Sequence, residues 1–222
     1  MPIISKKLGL AYFDTPKVAS SSIKYALYEA EHGRPFEHEA NVDDAIHWTY
    51  PTRRLQPEDW ARTAGLWTFG VVRDPVKRLL SAYANRVALH ADQRRGRLST
   101  QRARLLGLSL TPDADTFFTR LGRYRLAAGP VRHHTDRVMR YLGDDLSRFD
   151  AIYPIEDLAS LEGDLSRRTG APVRLQRLQT GGPKLRFDML SAEAQDALMR
   201  YLAPEYRVLA RYYQPPRDLA TE

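Results

Sequence analysis

Residues 8–30 read LGLAYFDTPKVASSSIKYALYEA. Leu8 to Phe13 is an apolar run of strand length, and Asp14 to Ser20 is turn-like. Ile23, Ala26, Leu27 and Ala30 then recur at helical spacing, so the stretch reads as strand, loop and helix in succession. The same order returns downstream. Leu66 to Val72 is a second strand, ended by Arg73-Asp74-Pro75, with Pro75 placed at the first turn of a helix. Leu79, Leu80, Tyr83 and Val87 give that helix one apolar face. Phe149 to Tyr153 is a third strand, followed by a helix from Glu156 to Thr169 with Gly170 at its C-terminal cap. Strands alternating with helices predict an α/β fold, a three-layer sandwich with a short, mainly parallel sheet.

The rest of the chain is mostly helical by the same criteria. Asp115 to Leu121 and Val131 to Leu142 read as helices. Ser191 to Leu202 reads as another, N-capped by Ser191, and Pro204 to Tyr213 as a separate closing helix. Glu31 to Arg62 is polar and irregular, Arg94 to Arg104 is basic and reads as helical or partly mobile, and Arg177 to Lys184 is a glycine-containing loop.

A length of 222 residues with no internal repeat or low-complexity linker suits a single domain spanning 1–222. Apolar residues make up 43% of the chain, enough for a packed core. There are no cysteines, which excludes disulfides, thiolate metal sites and a cysteine nucleophile. No apolar run is long enough for a signal peptide or a membrane span, so a soluble cytoplasmic protein is expected. The net charge of +7 predicts an anionic partner. It does not choose among nucleic acid, phosphate-bearing cofactors and acidic glycans.

Two stretches carry phosphate-binding chemistry. In Asp14-Thr15-Pro16-Lys17-Val18-Ala19-Ser20-Ser21-Ser22, the first amides of the helix lack internal partners and the helix dipole is positive there. An anion fits that end, the serines add donors, and Lys17 adds a full charge. A plain serine cap on an ordinary helix is the alternative. The stretch is not a Walker A loop, because its lysine precedes the small residues and it holds no glycine. In Val71-Val72-Arg73-Asp74-Pro75-Val76-Lys77-Arg78-Leu79-Leu80-Ser81-Ala82-Tyr83, Arg73 stands at the carboxyl end of a strand, where open α/β sheets bind ligands. Arg73 and Ser81 suit one anion, with a local Arg73–Asp74 pair as the alternative.

Together the two stretches resemble the cofactor motifs of sulfotransferases that use 3′-phosphoadenosine 5′-phosphosulfate (PAPS). The pattern is similar to the carbohydrate-type branch, which includes heparan sulfate 2-O-sulfotransferases and related bacterial enzymes. The resemblance implies a P-loop nucleotide-kinase-like fold and a nucleotide-binding transferase. It implies that Pro16, Lys17, Val18, Ala19, Ser20, Ser21 and Ser22 hold the 5′-phosphosulfate and that Arg73 and Ser81 hold the 3′-phosphate. Lys184, in the late loop, is assigned to the cofactor as well. Lys17 would stabilise the leaving group without a metal. The acceptor would be a hydroxyl-bearing molecule, a saccharide by analogy with the branch. The chain departs from the family at Ala19, where a glycine is common, and at Val76, where an aromatic is common.

Sulfuryl transfer needs a base for the attacking hydroxyl. His47 is the candidate, since imidazole titrates near neutral pH and the family often places a histidine in this interval. Glu37, His38 and Glu39 are rivals. His133 and His134 read as a polar helix face rather than an acceptor contact, and the Arg94 to Arg104 run as a solvated face rather than a grip on an anionic acceptor. Two other readings compete: an ATP-dependent phosphotransferase, opposed by the missing Walker A glycines, and a nucleic-acid-binding protein. Nucleic acid is not expected as a partner, because the basic residues lack interleaved aromatics.

Overall fold

The two longest apolar runs become neighbouring strands. In this computed structural model residues 2–37, 45–88, 100–176 and 184–216 are described. β2 (Leu10–Phe13) is buried along its whole length, as a strand covered on both faces must be. β3 (Trp67–Val72) pairs parallel with it, Leu10 opposite Trp67, and β4 (Ala151–Pro154) pairs parallel with β3, Phe69 opposite Ala151. An edge strand, β1 (Ile3–Ser5), runs antiparallel to β2 and completes the order β1-β2-β3-β4. The sequence reading missed β1 because three residues carry no readable period.

The described residues fall into two compact units. The first comprises Met1–Arg73 and Val138–Thr180 and holds the sheet. Alternation sends successive side chains to opposite faces. Tyr12, Phe69, Val71 and Tyr153 share one core with Ile23, Ala26 and Leu27 of α1 (Ser20–His32) and with two leucines, Leu161 and Leu165, of α10 (Leu158–Thr169). On the other face Phe13 stacks on Trp60 of α3 (Pro57–Arg62) at 5.0 Å and meets Phe149 edge-on at 4.9 Å. Gly70 lets the strand pack closely: a Cβ there would lie 3.0 Å from Ile152 Cδ1 and 3.3 Å from Leu142 Cδ2. The segment expected to be irregular contains α2 (Ala45–Thr49) as well as α3, both too short to show an apolar stripe.

The second unit comprises Asp74–Arg137 and Gly181–Glu222. Its elements are α4 (Pro75–Tyr83), a π-helical turn over Ala84–Ala88, α5 (Thr100–Leu105), α6 (Ala114–Thr119), α7 (Leu121–Ala127), α8 (Gly129–Thr135) and α11 (Ala192–Val208). Leu79, Leu80 and Tyr83 pack with Phe117, Tyr124, Leu198 and Leu202 in its core. As expected, Pro75 opens α4 and Ser191 caps α11, and Asp74 adds an N-cap to α4 that was not foreseen. Helix boundaries differ, among them that of the helix expected from Asp115 to Leu121, which breaks at Arg120 between α6 and α7. The helix expected from Val131 to Leu142 breaks at Asp136 into α8 and α9 (Met139–Leu142). Asp136 adopts ψ 142°, its carboxylate accepting from Arg125 at 2.8 Å and its carbonyl from Arg78 at 2.9 Å. Conversely, Pro204 does not end α11, because Leu202, Glu205 and Tyr206 on the same helix are buried. That anchoring outweighs the one hydrogen bond a proline forfeits. Among the described residues no helix is long and apolar enough to cross a membrane.

Candidate functional site

The site is built where β2 ends. Two non-glycine residues among those described have positive φ, and both are in the loop that follows: Lys17 at +70° and Ala19 at +65°. Each costs about 1–2 kcal/mol, a strain that folded proteins retain mainly where function needs the geometry. Ala19 is the N-cap of α1 and has no side-chain oxygen to cap the helix amides. The first backbone bond of α1 runs from Ile23 N to Ala19 O at 3.2 Å, so the preceding amides of the first turn have no intrahelical acceptor. Positive dipole and directed N–H groups suit this helix end to an anion. Thr15 adds a fully buried hydroxyl with no hydrogen-bond partner among the described residues. The donor set therefore fits a phosphate or sulfate group.

Arg73 follows β3, the parallel neighbour of β2, so both connections leave the same edge of the sheet. Its Nη1 donates to the Lys17 carbonyl at 3.2 Å. The key arginine of the second motif thus meets the lysine of the first, 56 residues away.

Behind the loop lies a polar network absent from the sequence reading. Lys24 of α1 is fully buried and its Nζ lies 2.6 Å from Asp14 Oδ2. The same Nζ makes hydrogen bonds with Thr52 Oγ1 at 2.8 Å and with His47 Nδ1 at 2.9 Å. Thr52 donates to Asp14, as does Tyr12 at 3.2 Å. The other ring nitrogen of His47, Nε2, is 2.9 Å from Ser21 Oγ. Burial, and then the Asp14 charge, push the Tyr12 phenol well above its ordinary pKa, so Tyr12 stays protonated and donates to Asp14. Lys24 had one visible signal, a lysine among the apolar positions Ile23, Ala26 and Leu27. Its partners come from outside α1.

The remaining candidates divide by location. Pro16 is buried, and Val18 is part of the sheet core, so Val18 offers a ligand only its backbone. Ser20 and Ser22 are buried, while Ser21 is half-buried and meets His47. Ser81 lies half-buried on α4 in the second unit, and Lys184 is exposed outside regular secondary structure in the same unit. Arg78, expected within the second motif, is 1% exposed and ion-paired to Glu205. Glu37 is exposed, while His38 and Glu39 lie outside the described residues. His133 and His134 are on α8, their rings 5.0 Å apart. Arg102 and Arg104 are exposed on α5, and Arg94, Arg95, Arg97 and Gly181 to Pro183 lie outside the described residues. Among the described residues no three histidine or acidic side chains come together in a group able to hold a metal ion.

Compared with known proteins, residues 2–202 match the sulfotransferase family. No curated protein and no solved structure matches the chain.

Proposed function

This chain belongs to the sulfotransferase family, and from that premise we propose that it transfers a sulfuryl group from PAPS to a hydroxyl of a saccharide or glycoconjugate. The observation that carries the reading is the Arg73–Lys17 contact, which brings the two stretches read as phosphate-binding to one sheet edge. The family match covers parts of both units, which supports one catalytic domain over 1–222 with a P-loop nucleotide-kinase-like fold.

In this reading the start of α1 holds the 5′-phosphosulfate. Backbone N–H groups from Pro16 through Ser22, where an N–H exists, and the serine hydroxyls supply the donors. The Lys17 ammonium carries the charge that develops on the leaving oxygen. Arg73 serves the 3′-phosphate with its planar fork. Ser81 and Lys184 are assigned to the nucleotide on the family resemblance alone. His47 takes the proton of the acceptor hydroxyl, a role supported by its contact with Ser21 at the loop.

A thermal-shift titration tests the donor. Adenosine 3′,5′-bisphosphate at about 100 times its dissociation constant should stabilise the protein by roughly 2.7 kcal/mol. That is a rise of about 5–10 °C for a chain of this size. A larger shift with ATP–Mg²⁺ than with the bisphosphate would transfer the site to a phosphotransferase.

A further inference from the structure

A lysine ammonium has three N–H bonds and no acceptor capacity. Lys24 has three partners within hydrogen-bond distance: Asp14 Oδ2, Thr52 Oγ1 and His47 Nδ1. Thr52 directs its own hydrogen to Asp14, so its oxygen is left to receive from Lys24. With all three ammonium hydrogens placed, His47 Nδ1 must be the acceptor in its pair. A neutral imidazole that accepts at one nitrogen carries its hydrogen on the other. His47 therefore holds its proton on Nε2 and donates it to Ser21 Oγ at 2.9 Å. The Ser21 oxygen is then engaged, and its own hydrogen is available to a third group at the first turn of α1.

We propose that Lys24 is a positioning residue that locks His47 as the neutral Nε2–H tautomer and so commits the Ser21 hydroxyl to donate to the anion at the start of α1. The part about the anion rests on the functional reading above, whereas the lock does not. A proton on Nδ1 would face the Lys24 ammonium across 2.9 Å. The charged groups in contact with this cluster are Lys24 on α1, whose ammonium lies against the His47 ring, and Asp14 on the loop after β2, which meets Lys24 rather than the ring. The adjacent ammonium opposes an imidazolium.

In the locked form Nδ1 accepts from Lys24 and Nε2 carries a hydrogen, so the base role proposed for His47 requires a Lys24–His47 pair that holds one proton fewer, and the tautomer measurement bears on that role as well.

Long-range ¹H–¹⁵N NMR of the ¹⁵N-histidine-labelled full chain reads the tautomer, with His47 assigned by the signals lost in His47→Gln. The wild type should show a protonated Nε2 and a bare Nδ1 for His47, unchanged between about pH 5.5 and 8.5. Lys24→Met should release the ring to titrate near the ordinary value of about 6.5. Ser21→Ala keeps Lys24 and should retain the wild-type pattern, so wild type and Ser21→Ala decide the matter even if Lys24→Met does not fold. An imidazolium or an Nδ1–H signal in the wild type overturns the lock. Adenosine 3′,5′-bisphosphate reads the second part: Ser21→Ala should weaken its binding about tenfold, the loss of one hydrogen bond to a charged group. Unchanged affinity removes Ser21 as a donor. No binding to the wild type refutes the donor reading and takes the Ser21 role with it, while the tautomer result stands by itself.

Discussion

Arg78→Met should unfold the protein far more easily without removing an anion contact. The Arg78 side chain is 1% exposed and that of Glu205 is 0% exposed. Arg78 donates through Nε and Nη2 to the carboxylate at 2.9–3.2 Å and through Nη2 to the Asp136 carbonyl at 2.9 Å. Removing the arginine takes the paired cation away from the buried Glu205 carboxylate. Breaking a buried pair from one side costs about 3–5 kcal/mol. For 222 residues that is a fall of roughly 6–20 °C in Tm. The pair is also imperfectly satisfied, since Arg78 Nη1 has no hydrogen-bond partner among the described residues. Arg78→Met combined with Glu205→Met should therefore recover most of the loss, because apolar replacement of a whole buried pair is often neutral or stabilising. Urea denaturation of the wild type, both single variants and the double variant closes the cycle. A loss below about 1 kcal/mol in Arg78→Met, or a double variant no better than that single one, would refute this account of the pair. If the double variant folds, it should bind adenosine 3′,5′-bisphosphate like the wild type, because Arg78 directs its bonds into the second unit.

Three further outcomes are expected. Ala19→Gly relieves an L-residue held at φ +65°. The relief of about 1 kcal/mol is partly offset by the greater freedom of unfolded glycine, so stability should stay level or rise by up to about 1 kcal/mol. A clear loss in calorimetry would contradict the strained loop. Gly70→Ala drives a methyl against Ile152 and Leu142 and should cost about 1–3 kcal/mol by overpacking. An unchanged denaturation midpoint would show that the sheet yields there. Asp113 caps α6, and hydrogen bonds from the Thr116 backbone and side chain hold its carboxyl below its ordinary pKa. A lowered folded value means that the stabilisation is complete above the unfolded value of about 3.9 and is lost as pH falls through the folded one. Asp113→Ala should thus cost about 1 kcal/mol at neutral pH and much less in acid. A gap that does not narrow on acidification would place the effect elsewhere.

The features legible beforehand were local ones. Apolar runs at Leu8 to Phe13 and Leu66 to Val72, Pro75 at a helix start, the Ser191 cap and the Gly170 cap all act within a few residues and leave a local pattern. The position of the loop was legible too, since Lys17 and the serines are contiguous and Arg73 ends a strand. Short elements such as β1 and α2 were not, because they end before a period can repeat. Pro204 misled because its effect on α11 depends on what the rest of that helix buries.

By itself, then, the sequence determined the parallel pairing of the main strands, the loop between β2 and α1 and the family to which they belong, because propensity, periodicity and caps are short-range properties. The tertiary structure decided which charges are buried and what meets them. Lys24 joins Asp14, His47 and Thr52, and Arg78 joins Glu205 across 127 positions. With 27 acidic residues in the chain, sequence does not select the partner of a buried cation. Only the packing of helix faces and strand ends does, because the cost of burying a lone charge forces the fold to bring a partner to it.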